Sequence, residues 1–252
     1  MKFKVVSCNV FKREMEVAAQ ASPHELHFEF IELGEHAKPR TLHAKLQAAV
    51  DDAADFDAVL LGYGLCGRAT DGLAARDVPL VLPRSHDCCG VLLGSRKRFE
   101  DLFAAMPSTP FSSVGFVEHG EYFFTDGEMM LGDNYAALVE QYGEDDAQYI
   151  YEAMHPKLDG VLQPIHFIAT PEVPSAEARE ICRAKAEAEG REFRDLDGSL
   201  RLLRMLLRGE WPSDEFLVVS PGRRIRMVGD WDRIVESEPS SQFAAPDQSP
   251  RV

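Results

Sequence analysis

Two apolar runs, FDAVLLGYG (residues 56–64) and VPLVLP (78–83), do most to restrict what this chain can fold into. Neither alternates apolar with polar residues, so each must be covered on both faces. Strands of that kind belong inside a parallel sheet, and parallel neighbours need long crossovers, usually helical. The flanking sequence supplies the remaining parts. FKVVSCNV (3–10) reads as an earlier strand and ELHFEFIEL (25–33) as an alternating one. PRTLHAKLQAAVDDAA (39–54) places Leu42, Leu46 and Ala49 at helical spacing, with Thr41 or Arg40 near its start. SRKRFEDLFAAM (95–106) reads as a helix capped by Ser95. The expected fold class is α/β, with open, mostly parallel Rossmann-like sheets.

The last third replays this pattern. QPIHFIATPEVPSAEAREICRAKAEAEG (163–190) reads as strand, turn and helix, and EFRDLDGSLRLLRMLLRGEW (192–211) as strand and amphipathic helix. DEFLVVSPGRRI (214–225) is an apolar strand ending in Pro-Gly. We therefore expect two related lobes, residues 1–105 and 161–235, with a cleft between them. Residues 106–160 form a loop-rich and helical excursion with one or two short strands. Residues 236–252 have the composition of a disordered tail.

A 252-residue chain with 45% apolar and 27% charged residues is ordinary for a globular protein. Its net charge of -15 argues against nucleic acid and anionic lipid as partners. No window approaches the ~20 apolar residues of a membrane helix, and the apolar core of MKFKVVSCNVFKREM is too short for a signal peptide. These features point to a cytoplasmic protein. Five cysteines, an odd number, then point to thiol or metal chemistry rather than structural disulfides.

Gly62, Gly64 and Gly67 spell G-x-G-x-x-G after a strand, and Asp87 follows Gly67 by 20 residues, which is the pattern of a dinucleotide site. Against it, RATDGLAARD is short for a crossover helix and contains Gly72. Asp87 also lies past the end of its strand, and the loop does not belong to the first strand of the chain. The plain alternative is that the glycines make a tight turn.

The cysteines suggest a different use of the loop. Cys8, Cys66 and the pair His86 and Cys88 each follow a predicted strand, so all fall beyond the carboxyl ends of a parallel sheet, where ligands bind. Cys66, His86 and Cys88 make a Cys₂His set suited to catalytic zinc, and Cys8 is a candidate fourth ligand that would close the site. Thiolates alone would suit an iron–sulfur cluster. In an extended segment His86 and Cys88 share a side while Cys89 points away. Asp87 would orient a ligand or cap the turn. Cys89 and Cys182 read as small buried hydrophobes, and His166 as a core histidine. Gly64, Gly67, Arg68, Arg223 and Arg224 are candidates for holding an anionic substrate, with solvated arginines as the plainer reading. His119, Glu121, Tyr122 and Thr125 are further cleft-lining candidates.

GYGLCGRATDGL together with VPLVLPRSHDCCGVLLGSRKRF resembles the prokaryotic domain of unknown function 1638 family, and DEFLVVSPGRRI resembles its C-terminal strand and turn. Cys89 stands where an aliphatic residue is expected, and GEYFFTDGEMM matches the family's aromatic stretch only loosely. The resemblance implies an association with corrinoid-dependent methyl transfer, with a methyltransferase or corrinoid protein as partner. Zinc thiolate chemistry agrees with that, because the metal holds a thiol as thiolate. Three functions are thus expected. The first is a zinc protein acting on a small anionic or thiol-bearing molecule. The second is an accessory protein carrying a corrinoid, an iron–sulfur cluster or a metal. The third is a dinucleotide-binding oxidoreductase.

Overall fold

The computed structural model of the chain describes residues 1–33, 39–66, 68–104, 109–119, 144, 162–228, 230 and 233–240. The two continuous apolar runs become β3 (Ala58–Gly62) and β4 (Leu80–Pro83), buried at every residue. With β1 (Lys2–Cys8) and β2 (Glu25–Ile31) they form the parallel part of a five-stranded sheet. The order is β2-β1-β3-β4-β8, where β8 is Phe216–Val219. The alternating strand β2 takes the edge, where one side is left to solvent.

Helices cover both faces. A 3-10 turn (Asn9–Phe11) leads from β1 into α1 (Lys12–Ala19). The next helix, α2 (Pro39–Asp51), buries Leu42, Leu46 and Ala49, the stripe read from the sequence. Lys4 reaches the carbonyl of Asp52, just past α2, at 3.1 Å. The chain then forms α3 (Cys88–Leu93) and α4 (Arg96–Phe103), and Ser95 caps α4 by accepting from the Arg98 N–H.

A second sheet contains β5 (Phe111–Ser112), β6 (Ile165–Ala169) and β7 (Phe193–Asp197), all parallel. Helices α5 (Val114–His119) and α6 (Ala176–Ala188) accompany it. The next helix, α7 (Arg201–Leu207), returns to pack on β3, β4 and α1. The strand in DEFLVVS, grouped by sequence with the C-terminal segment, is β8. It joins the first sheet antiparallel to β4, with Pro83 opposite Phe216.

The carboxyl ends of the two parallel sheets meet. Gly115, just after β5, is pressed against the Val10 carbonyl just after β1, leaving no room for a Cβ. Ser199, just after β7, donates its N–H to the Leu92 carbonyl of α3 at 2.9 Å. Strands β9 (Arg223–Met227) and β10 (Val235–Pro239) form an antiparallel hairpin. The start of the expected disordered tail is thus a paired strand, held by Arg226–Glu236 and Arg224–Glu238 ion pairs across the hairpin. Residues 241–252, and most of the 106–160 excursion with its expected helices, lie outside the described residues. None of the described helices is long and apolar enough to cross a membrane.

Candidate functional site

The glycines after β3 serve contacts within the protein. A Cβ on Gly62 would stand 2.8 Å from the Ser7 Cβ and 2.5 Å from Met15 Cε. One on Gly64 would stand 2.7 Å from the backbone of Asp87. The loop is therefore laid directly onto the segment that follows β4. The Leu65 N–H fastens it there, donating to the carbonyls of Ser85 (3.0 Å) and His86 (3.1 Å). Cys66 and Arg68 both take left-handed backbone conformations, φ 45° and 71°. Each costs about 1 kcal/mol for a residue with a Cβ and persists where surrounding contacts fix the backbone.

This packing bears on the dinucleotide reading. The side of Gly64 that a pyrophosphate would approach is filled by Asp87, and residues 68–72 form turns rather than the helix whose N-terminus holds phosphate. Arg68 is exposed and paired with Asp71 at 2.9 Å. Gly67 lies outside the described residues.

The other side of the site is a helix start. Asp87 is the N-cap of α3, its Oδ1 accepting from the Gly90 N–H at 3.2 Å. Burial pushes its carboxyl up to about 6 despite backbone donors from Gly90 and Cys89. Cys88 is the first residue of α3, so His86 and Cys88 are not in one extended segment and the same-side argument for that pair does not apply. The His86 ring lies 6.0 Å from that of Phe99, and burial, with Arg96 adding to it, lowers its pKa. Cys89 is buried beside Asp87, and no other thiol is among the groups that raise its pKa.

Across this junction the sulfurs of Cys66 and Cys88 lie 3.7 Å apart, both buried. Contact with Cys66 raises the Cys88 thiol well above its usual pKa, and burial adds to this. Cys8, at the end of β1, is pushed up to about 12, mainly by burial and also by Cys66 and Glu32. Its thiol makes a weak contact with Asn9 Oδ1 at 3.8 Å, and Asn9 in turn donates to Glu32 at 3.1 Å. The phenol of Tyr63 is raised by burial and then by Cys8, Cys66 and Cys88. The three sequence-distant thiols therefore share one buried, apolar neighbourhood that penalises a negative charge unless a cation enters.

The structure brings Cys66 and Cys88 into contact, and a charge on Cys8 would act on both. It does not add His86 to make a three-ligand cluster. Among the described residues no group of three or more His, Cys, Asp or Glu side chains is arranged to hold a metal ion. All five cysteines are free thiols, and Cys182 is wholly buried in α6. His166 is a buried residue of β6, its ring edge-on to Phe103 at 5.2 Å.

The guanidinium groups of Arg223 and Arg224 have partners within the β9–β10 hairpin. The Arg223 guanidinium bonds Ser237 (3.0 Å to Oγ and 2.6 Å to O), and Arg224 pairs with Glu238 at 2.6 Å. His119 ends α5, while Glu121, Tyr122 and Thr125 lie outside the described residues. Sequence reasoning missed Tyr63 and Asn9 as neighbours of the thiols. Tyr63 lies within the glycine turn and Asn9 immediately follows Cys8, and that adjacency was the only available signal.

Comparison with curated proteins gave no match, and comparison with solved structures gave none. Residues 30–207, more than half of the chain and including Cys66, His86 and Cys88, match the family described as protein of unknown function, DUF1638. With that extent of match, the chain belongs to the DUF1638 family.

Proposed function

We propose that this protein is a zinc thiolate protein that acts on a small anionic or thiol-bearing molecule, in methyl transfer. The observation that carries the reading is the 3.7 Å separation of the Cys66 and Cys88 sulfurs. Tetrahedral zinc with Zn–S bonds of about 2.3 Å holds its sulfurs about 3.8 Å apart. The pair thus fits the edge of such a tetrahedron without rearrangement. Cys8, whose charge would act on Cys66 and Cys88, is the candidate for a third sulfur ligand.

A zinc ion held by Cys66 and Cys88 would supply Lewis acidity and would keep a bound thiol as thiolate at neutral pH. The protein's own groups do the remaining work. The Leu65 N–H and the packing of Gly64 on Asp87 hold Cys66 against α3. The Asp87 cap fixes the first turn of that helix and with it Cys88. Both cysteines are buried, which limits access of water and strengthens any ionic interaction formed there.

The test is total metal by elemental mass spectrometry on full-length protein purified without oxygen. About one zinc per chain, lost in both Cys66→Ser and Cys88→Ser and kept in Cys89→Ser, is expected. Iron with acid-labile sulfide would instead assign the thiols to a cluster. Unchanged metal in Cys66→Ser would remove the reading.

A further inference from the structure

We propose that Cys66 and Cys88 are also a redox pair, closing to a disulfide by exchange with a low-molecular-weight disulfide, with Cys66 as the entry sulfur and Cys88 as the resolving one. The two sulfurs are already in contact at 3.7 Å, so closure to a bond of about 2.05 Å is a short movement. The two sides differ in how firmly they are held. Cys88 stands in the first turn of a helix buried at every residue and capped by Asp87. Cys66 stands in a turn outside any helix or strand, in a left-handed backbone conformation with φ 45°. Cys66 is also the more accessible, 8% exposed against 4% for Cys88. Cys8 is wholly buried at the end of a central strand, and its thiol contacts Asn9 Oδ1.

The Cys66 sulfur attacks one sulfur of the small disulfide, forming a mixed disulfide and expelling one small thiol. The Cys88 sulfur then attacks the Cys66 sulfur, forming the internal disulfide and expelling the second small thiol. The protons from Cys66 and Cys88 end on the two expelled thiols. The protein dithiol is oxidised by two electrons, and the small disulfide is reduced. Since both sulfurs would be consumed, the disulfide and a thiolate-bound metal exclude one another. This last consequence rests on the zinc reading, whereas the exchange itself does not.

The experiment treats chelator-washed, full-length protein with oxidised glutathione and reads intact mass, alkylatable thiols and the peptide map. The wild-type chain is expected to lose two hydrogens and two alkylatable thiols, with the new bond mapped to Cys66 and Cys88. Cys88→Ser should retain glutathione on Cys66, because the resolving sulfur is gone. Cys66→Ser should take up none on Cys88. Circular dichroism melts of both variants establish that they are folded. A wild-type chain that keeps both thiols, a bond joining a different pair, or an adduct on Cys88 in Cys66→Ser overturns the proposal. Zinc added beforehand should slow closure at least tenfold. Closure between Cys66 and Cys88 that zinc does not slow would sustain the redox pair and count against the metal site.

Discussion

The backbone of Asp87 occupies the place where a side chain on Gly64 would begin: a Cβ there would lie 2.7 Å from the Asp87 nitrogen. That contact seats the β3 loop on the start of α3 and so sets the distance between Cys66 and Cys88. Neither backbone segment can yield as a flexible side chain would. Gly64→Ala is expected to cost about 1–3 kcal/mol of stability through forced backbone shifts. It should also lower metal affinity, because the two sulfurs move apart. Urea unfolding and metal titration of the variant check both. Wild-type stability in Gly64→Ala would show that the loop is not seated as described.

Arg68 offers the opposite case. It holds φ 71° with an exposed side chain that pairs with Asp71. Surface pairs of this kind contribute little. Arg68→Gly removes the left-handed penalty, partly offset by the freer unfolded chain, and is expected to raise stability by about 0.5 kcal/mol. Metal content should be unchanged, whereas an arginine that holds substrate would show a loss of substrate binding with no gain in stability. Thermal melts and metal analysis of the one variant distinguish these outcomes.

Glu14 is buried in α1, and its carboxyl is pushed up from 4.5 to about 7, mainly by burial. The folded state therefore binds this proton more tightly than the unfolded state. Its stabilising contribution is full below about pH 4.5 and is lost as pH rises to about 7. That difference corresponds to a loss on the order of 3 kcal/mol. Glu14→Gln is expected to be more stable than wild type at pH 8, by up to that amount, and to lose the advantage below pH 4.5. Denaturation midpoints of the two proteins across this range give the measurement, and a pH-independent difference would contradict it.

In the β9–β10 hairpin, Arg224 pairs with Glu238 and Arg226 with both Glu236 and Glu238. These partners are part-exposed, so each pair contributes up to about 1 kcal/mol. Arg224→Ala and Glu238→Ala should each lower stability modestly, and the double variant should lose less than the sum. Metal content should not change in any of them. A metal or substrate defect confined to Arg224→Ala would restore a role for that arginine outside the hairpin.

Much of the architecture was legible in the sequence. VLLG and LVLP had to be central because they carry no polar face. Leu42, Leu46 and Ala49 marked the buried side of α2, and Ser95 the start of α4. Cys182, placed among the alanines of a helix, lies on that helix's buried face. These are local properties, since burial pattern, helical spacing and capping act within a few residues. For the same reason the sequence placed Cys8, Cys66 and Cys88 at one edge of the sheet, because parallel strands put their carboxyl ends together.

The tertiary structure alone decided which of these groups meet. The 3.7 Å contact joins residues 22 positions apart, and it depends on Gly64 fitting over Asp87, a steric match that no local pattern records. Asp87 starts a helix at Cys88 because its carboxylate finds the Gly90 N–H, which turns the expected extended His86–Cys88 pair into a helix entry. The arginines of SPGRRIR found their partners in a strand read from sequence as an unpaired tail, because Glu236 and Glu238 arrive only when β10 folds back on β9. The apolar run FLVV fixed β8 as a strand. Its antiparallel place beside β4 was set by the route of the chain through the second sheet, a long-range property that strand composition does not encode.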